Sequence, residues 1–359
     1  MSVAAQGIDA LQEAVRRGPR VLPHGAGTKP ALSSPPEDVV ALDVSGLSGI
    51  VEYDPAELTF TALAGTPVAE VSASLAEHGQ YLPFDPPFSA AGATLGGVVA
   101  AGTSGANAFR HGGVRDFLIG VRFIDGTGKL VTGGGKVVKN AAGFDLPKLM
   151  IGSAGRLGVL IQLSFKVFPR PAATTTLVVD VGTLEAALAA IAELGRGPLD
   201  FDAVDLEPPG RLLLRLGGES ESLPGRVERL ETALGAGGER VKDAADVALW
   251  RDAAELAWLP PGSRVIKVAI TGRRVAGLEA ALTAADARAR YSLGANVAWV
   301  AWPTDRPLEA LDTALAALEL AGIVLTGAPG RVLLGRTGGG AFATRVRAAL
   351  DPHTRFLEA

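Results

Sequence analysis

Three glycine-rich segments hold the residues whose types and spacing point most directly to chemistry. The first is His24-Gly25-Ala26-Gly27-Thr28-Lys29, which follows a predicted strand at 20–23. Glycines here permit positive φ angles and allow consecutive main-chain amides to converge on an anion. A tight turn after the strand explains the same residues. The segment has neither the P-loop spacing nor the Rossmann spacing, so both of those nucleotide sites are excluded.

The second segment is Thr94-Leu95-Gly96-Gly97, which opens a predicted helix at 95–101. Thr94 is a natural N-cap, whereas each glycine inside a helix costs about 1 kcal/mol. Three or four charge-assisted bonds from the first-turn amides to a bulky anion, at roughly 1.5–3 kcal/mol each, outweigh that cost. Close packing of the helix against a sheet is the alternative explanation.

The third segment runs from Lys139 through Leu146 and continues from Gly152 to Val159, and a basic stretch, Arg110 to Gly120, precedes it.

The chain contains no cysteine, which excludes disulfides, iron–sulfur clusters and a thiolate nucleophile. Its four histidines are scattered, with no pair at metal-ligand spacing. We therefore expect no metal site.

Composition narrows the class of protein further. The chain has 359 residues, of which 48% are hydrophobic and 20% charged, with a net charge of −4. This is an ordinary globular balance, and it provides no basic excess for binding nucleic acid. The N-terminal residues predict a short amphipathic helix around Ile8, Leu11 and Val15 and not a secretory signal, and no apolar run approaches the ~20 residues of a membrane span. We expect a cytoplasmic protein, peripheral to a membrane only through partners.

The predicted elements divide the chain into an α+β part and a second, more regular part. Strands are predicted at 20–23, 39–42, 50–53, 59–64, 117–124 and 157–167, and helices at 67–78 and 95–101. Beyond residue 172, strands and Ala/Leu-rich helices alternate, including a helix at 275–290 and strands at 295–302 and 323–326. This order predicts two ferredoxin-like β-α-β units with helices on one face. We interpret 235–262 as a joint or rim and place a last helix at 341–350.

Four ordered blocks resemble the FAD-binding domain of the vanillyl-alcohol oxidase/PCMH flavoprotein family. They are the first glycine loop, the Thr-Leu-Gly-Gly block, Arg115 to Gly120, and Lys139 to Pro171, which ends in Lys-Val-Phe-Pro-Arg-Pro. Within the family, the chain is most similar to the smaller flavin-domain subunits of bacterial three-subunit glycolate oxidases. The resemblance covers residues 20–171. It implies an α+β, two-subdomain FAD-binding domain at 1–171, a ferredoxin-like α+β cap at 172–330, and a segment at 331–359 that returns to the FAD domain.

The resemblance also implies which residues contact FAD. The first loop and the second segment would hold the pyrophosphate, Pro86 would pass over the flavin edge, and the later glycines would approach the ribityl chain, the ring and the adenine. The implied cofactor-binding residues are His24, Gly25, Ala26, Gly27, Thr28, Lys29, Pro86, Thr94, Leu95, Gly96, Gly97, Gly102, Thr103, Ser104, Gly105, His111, Gly112, Gly155, Gly158 and Val159.

Departures from the family pattern shape the expected chemistry. Thr28 and Lys29 follow Gly27 where several members attach the flavin through histidine, and cysteine is absent, so we expect non-covalent FAD. The cap has no histidine, so the metal-assisted base of similar D-lactate dehydrogenases cannot be built. Oxidation of a 2-hydroxy acid needs a base and a cation for the carboxylate. His111 is the candidate base by elimination, and Lys139, Arg115 and Arg110 are candidate cations.

Three hypotheses for function remain open at this point. The first is an FAD-binding subunit of a glycolate (2-hydroxy acid) oxidase or dehydrogenase complex, beside a larger flavoprotein subunit and an iron–sulfur subunit. The second is a stand-alone FAD-dependent 2-hydroxy acid dehydrogenase. The third is a flavin-carrying structural subunit without turnover.

Overall fold

The first part of the chain is built on three small sheets. The computed structural model describes residues 2–4, 7–135, 144–327, 330–336, 338 and 340–358. Up to residue 169 the elements are, in chain order, β1 (Ser2–Ala4), α1 (Ile8–Arg17), β2 (Val21–His24), α2 (Pro30–Ser33), β3 (Val40–Asp43), β4 (Ile50–Asp54), β5 (Thr59–Leu63), α3 (Val68–Ala76), β6 (Gln80–Tyr81), α4 (Leu95–Ala101), α5 (Ala108–His111), α6 (Val114–Phe117), β7 (Leu118–Ile124), β8 (Leu130–Gly134), α7 (Leu146–Met150), β9 (Val159–Lys166) and β10 (Phe168–Pro169).

These strands form a three-stranded parallel sheet, β1-β3-β2, and a five-stranded antiparallel sheet, β4-β5-β9-β7-β8, with a short β10-β6 pair beside them. The larger sheet packs against α3 and α4, and Phe60 stacks on Phe165 with ring centroids 5.4 Å apart. Alternating burial along β9 explains why its mixed sequence folds as a strand. The strands predicted at 50–53, 59–64, 117–124 and 157–167 are confirmed to within two residues, and the helix at 95–101 matches at both ends.

The second part of the chain folds into one nine-stranded sheet with helices on one face. Its elements are β11 (Ala173–Asp180), α8 (Leu184–Leu194), β12 (Ala203–Glu207), β13 (Arg211–Gly218), α9 (Leu223–Leu234), β14 (Glu239–Lys242), α10 (Asp243–Ala254), β15 (Ser263–Ala269), α11 (Gly272–Ala284), β16 (Arg288–Ser292), β17 (Val297–Pro303), α12 (Leu308–Ala317), β18 (Ala321–Val324), β19 (Leu333–Gly335) and α13 (Gly340–Leu350).

The sheet order shows two successive βαββαβ units joined side by side. The order is β14-β11-β13-β12-β16-β17-β15-β18-β19, and β12 pairs with β16 through Leu206 and Tyr291. Helices α8, α9, α11 and α12 pack on one face of the sheet. On the other face, Val265 and Trp299 belong to the same core as Phe84 and Val98 of the first part. The predicted α+β class with two ferredoxin-like units is confirmed.

Three expectations for this part are corrected. The helix predicted through residue 290 ends at Ala284, because Asp286 adopts a positive φ of 54° and the chain then enters β16. The stretch predicted as a joint or rim, 235–262, is a regular part of the second fold unit, with β14 at the edge of the sheet and the helix α10. The sheet also gains its ninth strand at 333–335, past the predicted domain end at 330. Pairing with neighbouring strands overrides local helix propensity in β16.

The end of the chain packs on the first part. Val21 forms a parallel bridge with Phe356, whose side chain is buried in the core beside Leu11. The Asp351 carboxylate accepts the amides of Arg355 and Phe356 at 2.7 and 2.9 Å, which fixes this turn. The domain boundaries at 171 and 330 remain predictions. No helix in the described ranges is long and apolar enough to cross a membrane.

A buried ion pair ties α10 to the nine-stranded sheet. Asp246 of α10 is fully buried and accepts from Arg215 Nη2 at 2.7 Å and Nε at 3.0 Å. The hydroxyl of Thr174 donates to the same carboxylate at 2.6 Å. The Arg215 guanidinium also lies 5.7 Å from the Trp250 ring. Each charge is therefore compensated inside the fold.

Replacing Asp246 with alanine is expected to lower the free energy of unfolding by roughly 3–5 kcal/mol, because Arg215 is left buried without its counter-charge. Urea denaturation followed by tryptophan fluorescence measures the change. Asp252→Ala removes a carboxylate that pairs with Arg251 at the surface, and its effect should stay within about 0.5 kcal/mol. Equal losses from the two substitutions would contradict this account of the buried pair.

Candidate functional site

A cleft in the first part of the chain is lined by the loop after β2, the first turn of α4 and the segment that enters β9. Its volume is about 640 Å³. His24 to Lys29 line one side, Thr94, Gly96 and Gly97 line another, and Ala154, Gly155 and Gly158 complete it. The structure thus brings together three segments that the sequence analysis singled out.

The loop after β2 presents free backbone amides. Among the described residues, no protein acceptor receives the amides of Gly25 to Lys29. Gly27 has a φ of +71°, which favours glycine, and a Cβ at Gly25 would lie 2.5 Å from Thr94 Oγ1. The loop is therefore held against the start of α4 in a conformation that only small residues allow. Consecutive unpaired amides of this kind form an anion-binding nest.

The first turn of α4 uses its backbone amides inside the protein. Leu95 donates its amide to Thr66 O, Gly96 to Ala64 O at 2.7 Å, and Gly97 to the Thr94 hydroxyl at 3.2 Å. These amides already have internal acceptors, which does not favour an anion at this turn, and their contact with the cofactor stays a prediction. Close packing explains Gly96, because a Cβ there would lie 2.8 Å from Ala64 O. Gly97 instead opens toward the cleft.

Two cations adjoin the cleft without a carboxylate partner in the described ranges. Lys29 is 5% exposed, lies 5.1 Å from the Phe88 ring, and has its pKa lowered to about 8 by burial, which Glu255 partly offsets. Arg156, between Gly155 and Leu157, is 6% exposed and donates to Leu32 O at 3.0 Å. Burial, with the nearby Arg347, lowers its pKa to about 10, and its Nε has no acceptor. An anion in the cleft would supply the missing counter-charge.

A second, narrow cavity, with room for about one water molecule, lies between the first part and the nine-stranded sheet. Asp85 and Gly105 line it from one side, and Asp205 and Arg290 line it from the other. Arg290 donates to Asp205 Oδ2 at 2.8 Å and to Glu207 Oε1 at 2.7 Å. Asp205 Oδ1 and Arg290 Nη2 remain buried without partners in the described structure. The cavity is therefore polar and holds an unused acceptor and an unused donor.

The chain from Gly102 to Gly105 leads from the cleft to this second cavity. Gly102 ends α4 with a φ of 60°, and the buried hydroxyl of Thr103 has no described partner. The Ser104 hydroxyl accepts the Val114 amide at 2.9 Å, and Gly105 donates to Phe84 O at 2.9 Å. This stretch therefore runs from Ala101, which lines the cleft, to Gly105, which lines the second cavity.

The predicted catalytic residues do not converge. His111 Nε2 lies 3.3 Å from the Tyr81 hydroxyl, and the histidine ring packs edge-on against Phe168. Burial and the charge of Arg110 lower the pKa of His111, and Asp202 opposes them. Arg115 is at the surface, where it donates to Lys148 O. Lys139 lies outside the described residues.

Other predicted residues occupy varied positions. Arg110 is engaged with Asp202 at 2.7 Å and is not free to hold a carboxylate. Pro86 and Leu95 are buried, and Gly112 ends α5 with a φ of 91°. Val159 lies in the core beside Ile161 and does not line the cleft. The assignment of the individual cofactor-binding residues remains a prediction.

The sequence analysis missed Arg156, Asp205 and Arg290. Arg156 stands inside the quoted Gly-Arg-Leu-Gly run, so its position beside a glycine loop was the available signal. Asp205 and Arg290 carried no signal, because their pairing depends on the β12·β16 contact and residue 290 was assigned to a helix. Asp85 stood in a quoted Asp-Pro-Pro motif, but its charge was given no role.

Comparison with known proteins finds a matching family model and several similar proteins. Residues 3–134 match the family of FAD binding domains. The chain is 41% identical to glycolate oxidase subunit GlcE of Escherichia coli over 197 residues, which are 55% of this chain and 56% of that protein. It is 29% identical to glycolate oxidase subunit GlcD of Bacillus subtilis over 175 residues, 48% of this chain and 37% of that protein. The chain thus spans about half the length of GlcE and less of GlcD.

Two further similarities bear on the fold. The chain is 30% identical over 170 residues to mitochondrial D-lactate dehydrogenase (cytochrome) 1 of Saccharomyces cerevisiae, 47% of this chain and 28% of that protein. The solved structure of alkyldihydroxyacetonephosphate synthase superposes with a TM-score of 0.73 at 15% identity, covering 99% of this chain and 76% of that one. Residues 3–134 thus match an FAD binding domain in sequence, and the fold predicted from the resemblance to vanillyl-alcohol oxidase/PCMH-type flavoproteins is confirmed.

Asp85 gives the site a testable pH dependence. Burial raises the pKa of its carboxyl to about 6, which Arg215 partly offsets. The pKa in the unfolded chain is about 3.9, so the folded state binds the proton more tightly and loses stability as the pH rises from about 4 to 6. Asp85→Asn is therefore expected to stabilise the protein at pH 8 by on the order of 2 kcal/mol and to have little effect at pH 4. Urea denaturation at the two pH values measures the difference.

The exposed Asp305 provides the matched control for this substitution. Asp305→Asn should leave the pH dependence of stability unchanged. A constant effect of Asp85→Asn at both pH values would show that the carboxyl is not titrating in that range and would contradict the prediction.

Proposed function

We propose that the cleft binds FAD, with the diphosphate held by the loop from Gly25 to Lys29. The observation that carries the proposal is the coincidence of the unpaired amides in this loop with the cations of Lys29 and Arg156, which have no carboxylate partner among the described residues. A diphosphate carries the negative charge and the acceptor oxygens that these groups lack. The residues present therefore fit this cofactor.

We further propose that FAD is bound non-covalently. The chain has no cysteine, and the residues that follow Gly27 are Thr28 and Lys29, neither of which is a usual attachment point. His24, the imidazole next to the loop, directs Nδ1 at Gly25 O at 2.9 Å and is engaged with the backbone. Binding would depend on the diphosphate contacts and on the fit between the shapes of FAD and the cleft.

Gly97→Val is expected to remove FAD from the protein, because the new side chain would project into the cleft, where the Cβ has only Thr94 Oγ1 nearby at 3.2 Å. FAD released into the supernatant by acid precipitation should fall below about a tenth of the wild-type amount. This treatment also tests attachment, since a covalent flavin would stay in the pellet.

Gly46→Val, at an exposed turn with nothing near its Cβ, is the control and should keep its FAD. A folded Gly97→Val protein with full FAD content would disprove the assignment of the cleft.

We propose that the chain is an FAD-binding subunit of an oxidoreductase complex that converts glycolate, or a similar 2-hydroxy acid, to the 2-oxo acid. The relatives named as subunits of glycolate oxidase and as D-lactate dehydrogenase support this substrate class. FAD, when bound, would accept the two electrons and pass them on. A larger flavoprotein subunit and an iron–sulfur subunit are the proposed partners, in the cytoplasm.

The geometry favours a role within a complex over a stand-alone dehydrogenase. A lone enzyme needs a free cation for the substrate carboxylate and a base for its hydroxyl. Arg110 and Arg290 already pair with carboxylates, and His111 contacts Tyr81. His24 and Lys29 share the first cleft, but His24 is engaged with Gly25 O and Lys29 is assigned to the diphosphate, so the described residues offer no free pair in one cavity. Substrate oxidation would then take place in the partner flavoprotein, or at a site that the partner completes.

The isolated chain, loaded with FAD and mixed anaerobically with glycolate, is expected to keep an oxidised flavin spectrum, because it lacks that pair. The three subunits together should oxidise glycolate, and the Gly97→Val subunit should lower the rate at least tenfold. Rapid bleaching of the isolated chain by glycolate would establish the stand-alone enzyme instead. Full activity of the complex with the flavin-free subunit would establish a structural role.

A further inference from the structure

Lys267 is a cation that the nine-stranded sheet presents to the first part of the chain. It lies on β15, which pairs with β17 on one side and with β18 on the other, and it is directly opposite Trp299 of β17. Val265 and Trp299 pack in the core shared with the first part, so alternation along the strand places Lys267 on the same face. The lysine therefore faces the stretch from Gly102 to Gly105.

The ammonium of Lys267 has only one partner in the described structure. It donates to Gly102 O at 2.6 Å, and no carboxylate among the described residues pairs with it. Burial alone lowers its pKa to about 8. An ammonium has three donors, so two of them remain unused. A charged group in this state is destabilising unless a ligand compensates it.

The position of Gly102 relates this lysine to the proposed cofactor. Gly97 opens toward the cleft at the start of α4, and Gly102 ends the helix about 8 Å further along its axis. The hydroxyl of Thr103, next in the chain, is buried and has no described partner. The unused donors of Lys267 and the unused hydroxyl of Thr103 thus belong to neighbouring parts of the chain at the end of α4. A five-carbon ribityl chain that leaves the diphosphate along α4 would bring the flavin ring toward this point.

We propose that Lys267 contacts the flavin end of FAD and stabilises the negative charge that the ring gains on reduction. This inference rests on the proposed binding of FAD. It assigns to the nine-stranded sheet a residue that sets the reduction potential of the cofactor, whereas the first part of the chain would hold the diphosphate. Contact with both Gly102 O and the flavin would also hold the sheet in place over the cofactor.

The test compares Lys267→Met and Lys267→Arg with wild type in three measurements: the Kd for FAD, the reduction potential of the bound flavin, and the thermal midpoint with and without FAD. Lys267→Met is expected to weaken FAD binding about tenfold or more, because a hydrogen bond from a charged donor is lost. The flavin should become harder to reduce. If Lys267→Met weakens binding of the reduced flavin ten times more than binding of the oxidised flavin, the reduction potential falls by about 30 mV for a two-electron couple. Lys267→Arg should restore most of both properties.

The stability measurement separates a cofactor contact from a structural cap. Without FAD, Lys267→Met should melt no lower than wild type, because it removes an uncompensated charge, and only the increase on adding FAD should shrink. A lysine that merely caps α4 would give lower midpoints with and without FAD, together with an unchanged Kd and reduction potential, and this result would overturn the inference.

Lys166→Met, at an exposed lysine of β9, is the matched control and should resemble wild type in every measurement. If wild type itself binds no FAD, the proposed function falls, and this inference falls with it. If wild type binds FAD and Lys267→Met binds it equally well with the same potential, the proposed function stands and only the role of Lys267 fails.

Discussion

The loop from Gly25 to Lys29 carries a set of backbone amides that the protein does not use for itself, and the organisation of the first part depends on this. Burying Lys29 and Arg156 beside the loop without acidic partners destabilises the free protein. Much of the surrounding structure keeps these groups in place, including Thr94 against Gly25 and the Arg156 bond to Leu32 O. The free chain is thus organised for an anion, and bound cofactor would contribute to its stability.

The two parts of the chain divide the proposed tasks between them. The first part supplies amides and cations for a diphosphate, where the glycines allow close approach. The nine-stranded sheet covers the strip from Gly102 to Gly105 with a polar face on which Arg215, Arg290 and Lys267 alternate with apolar neighbours. Two of these cations are neutralised by acids, and Lys267 is not. Charge compensation therefore distinguishes residues that hold the fold from a residue left available to a ligand.

How much of this arrangement the sequence predicts depends on the range of the forces involved. Helix α4 is predictable because its signals are local: Thr94 caps its start and Gly102 ends it in a left-handed conformation. Strand β16 is not, because an alanine-rich run favours helix and only pairing with β17 makes it a strand. The same limit applies to the site. Glycine loops are visible in the sequence, whereas the lack of a carboxylate partner for Arg156 or Lys267, among the described residues, exists only once the chain has folded.

The first turn of α4 shows why a motif and its mechanism need separate evidence. Thr94, Gly96 and Gly97 do line the cleft, yet the amides of Leu95 to Gly97 already donate to Thr66, Ala64 and Thr94. Gly96 is small because the backbone of Ala64, just after β5, passes against it, and Gly97 is small because the cleft lies over it. The adjacent residues Gly96 and Gly97 are thus required to be small for different reasons. The proposed diphosphate contacts therefore fall to the loop after β2, and α4 contributes a wall of the cleft.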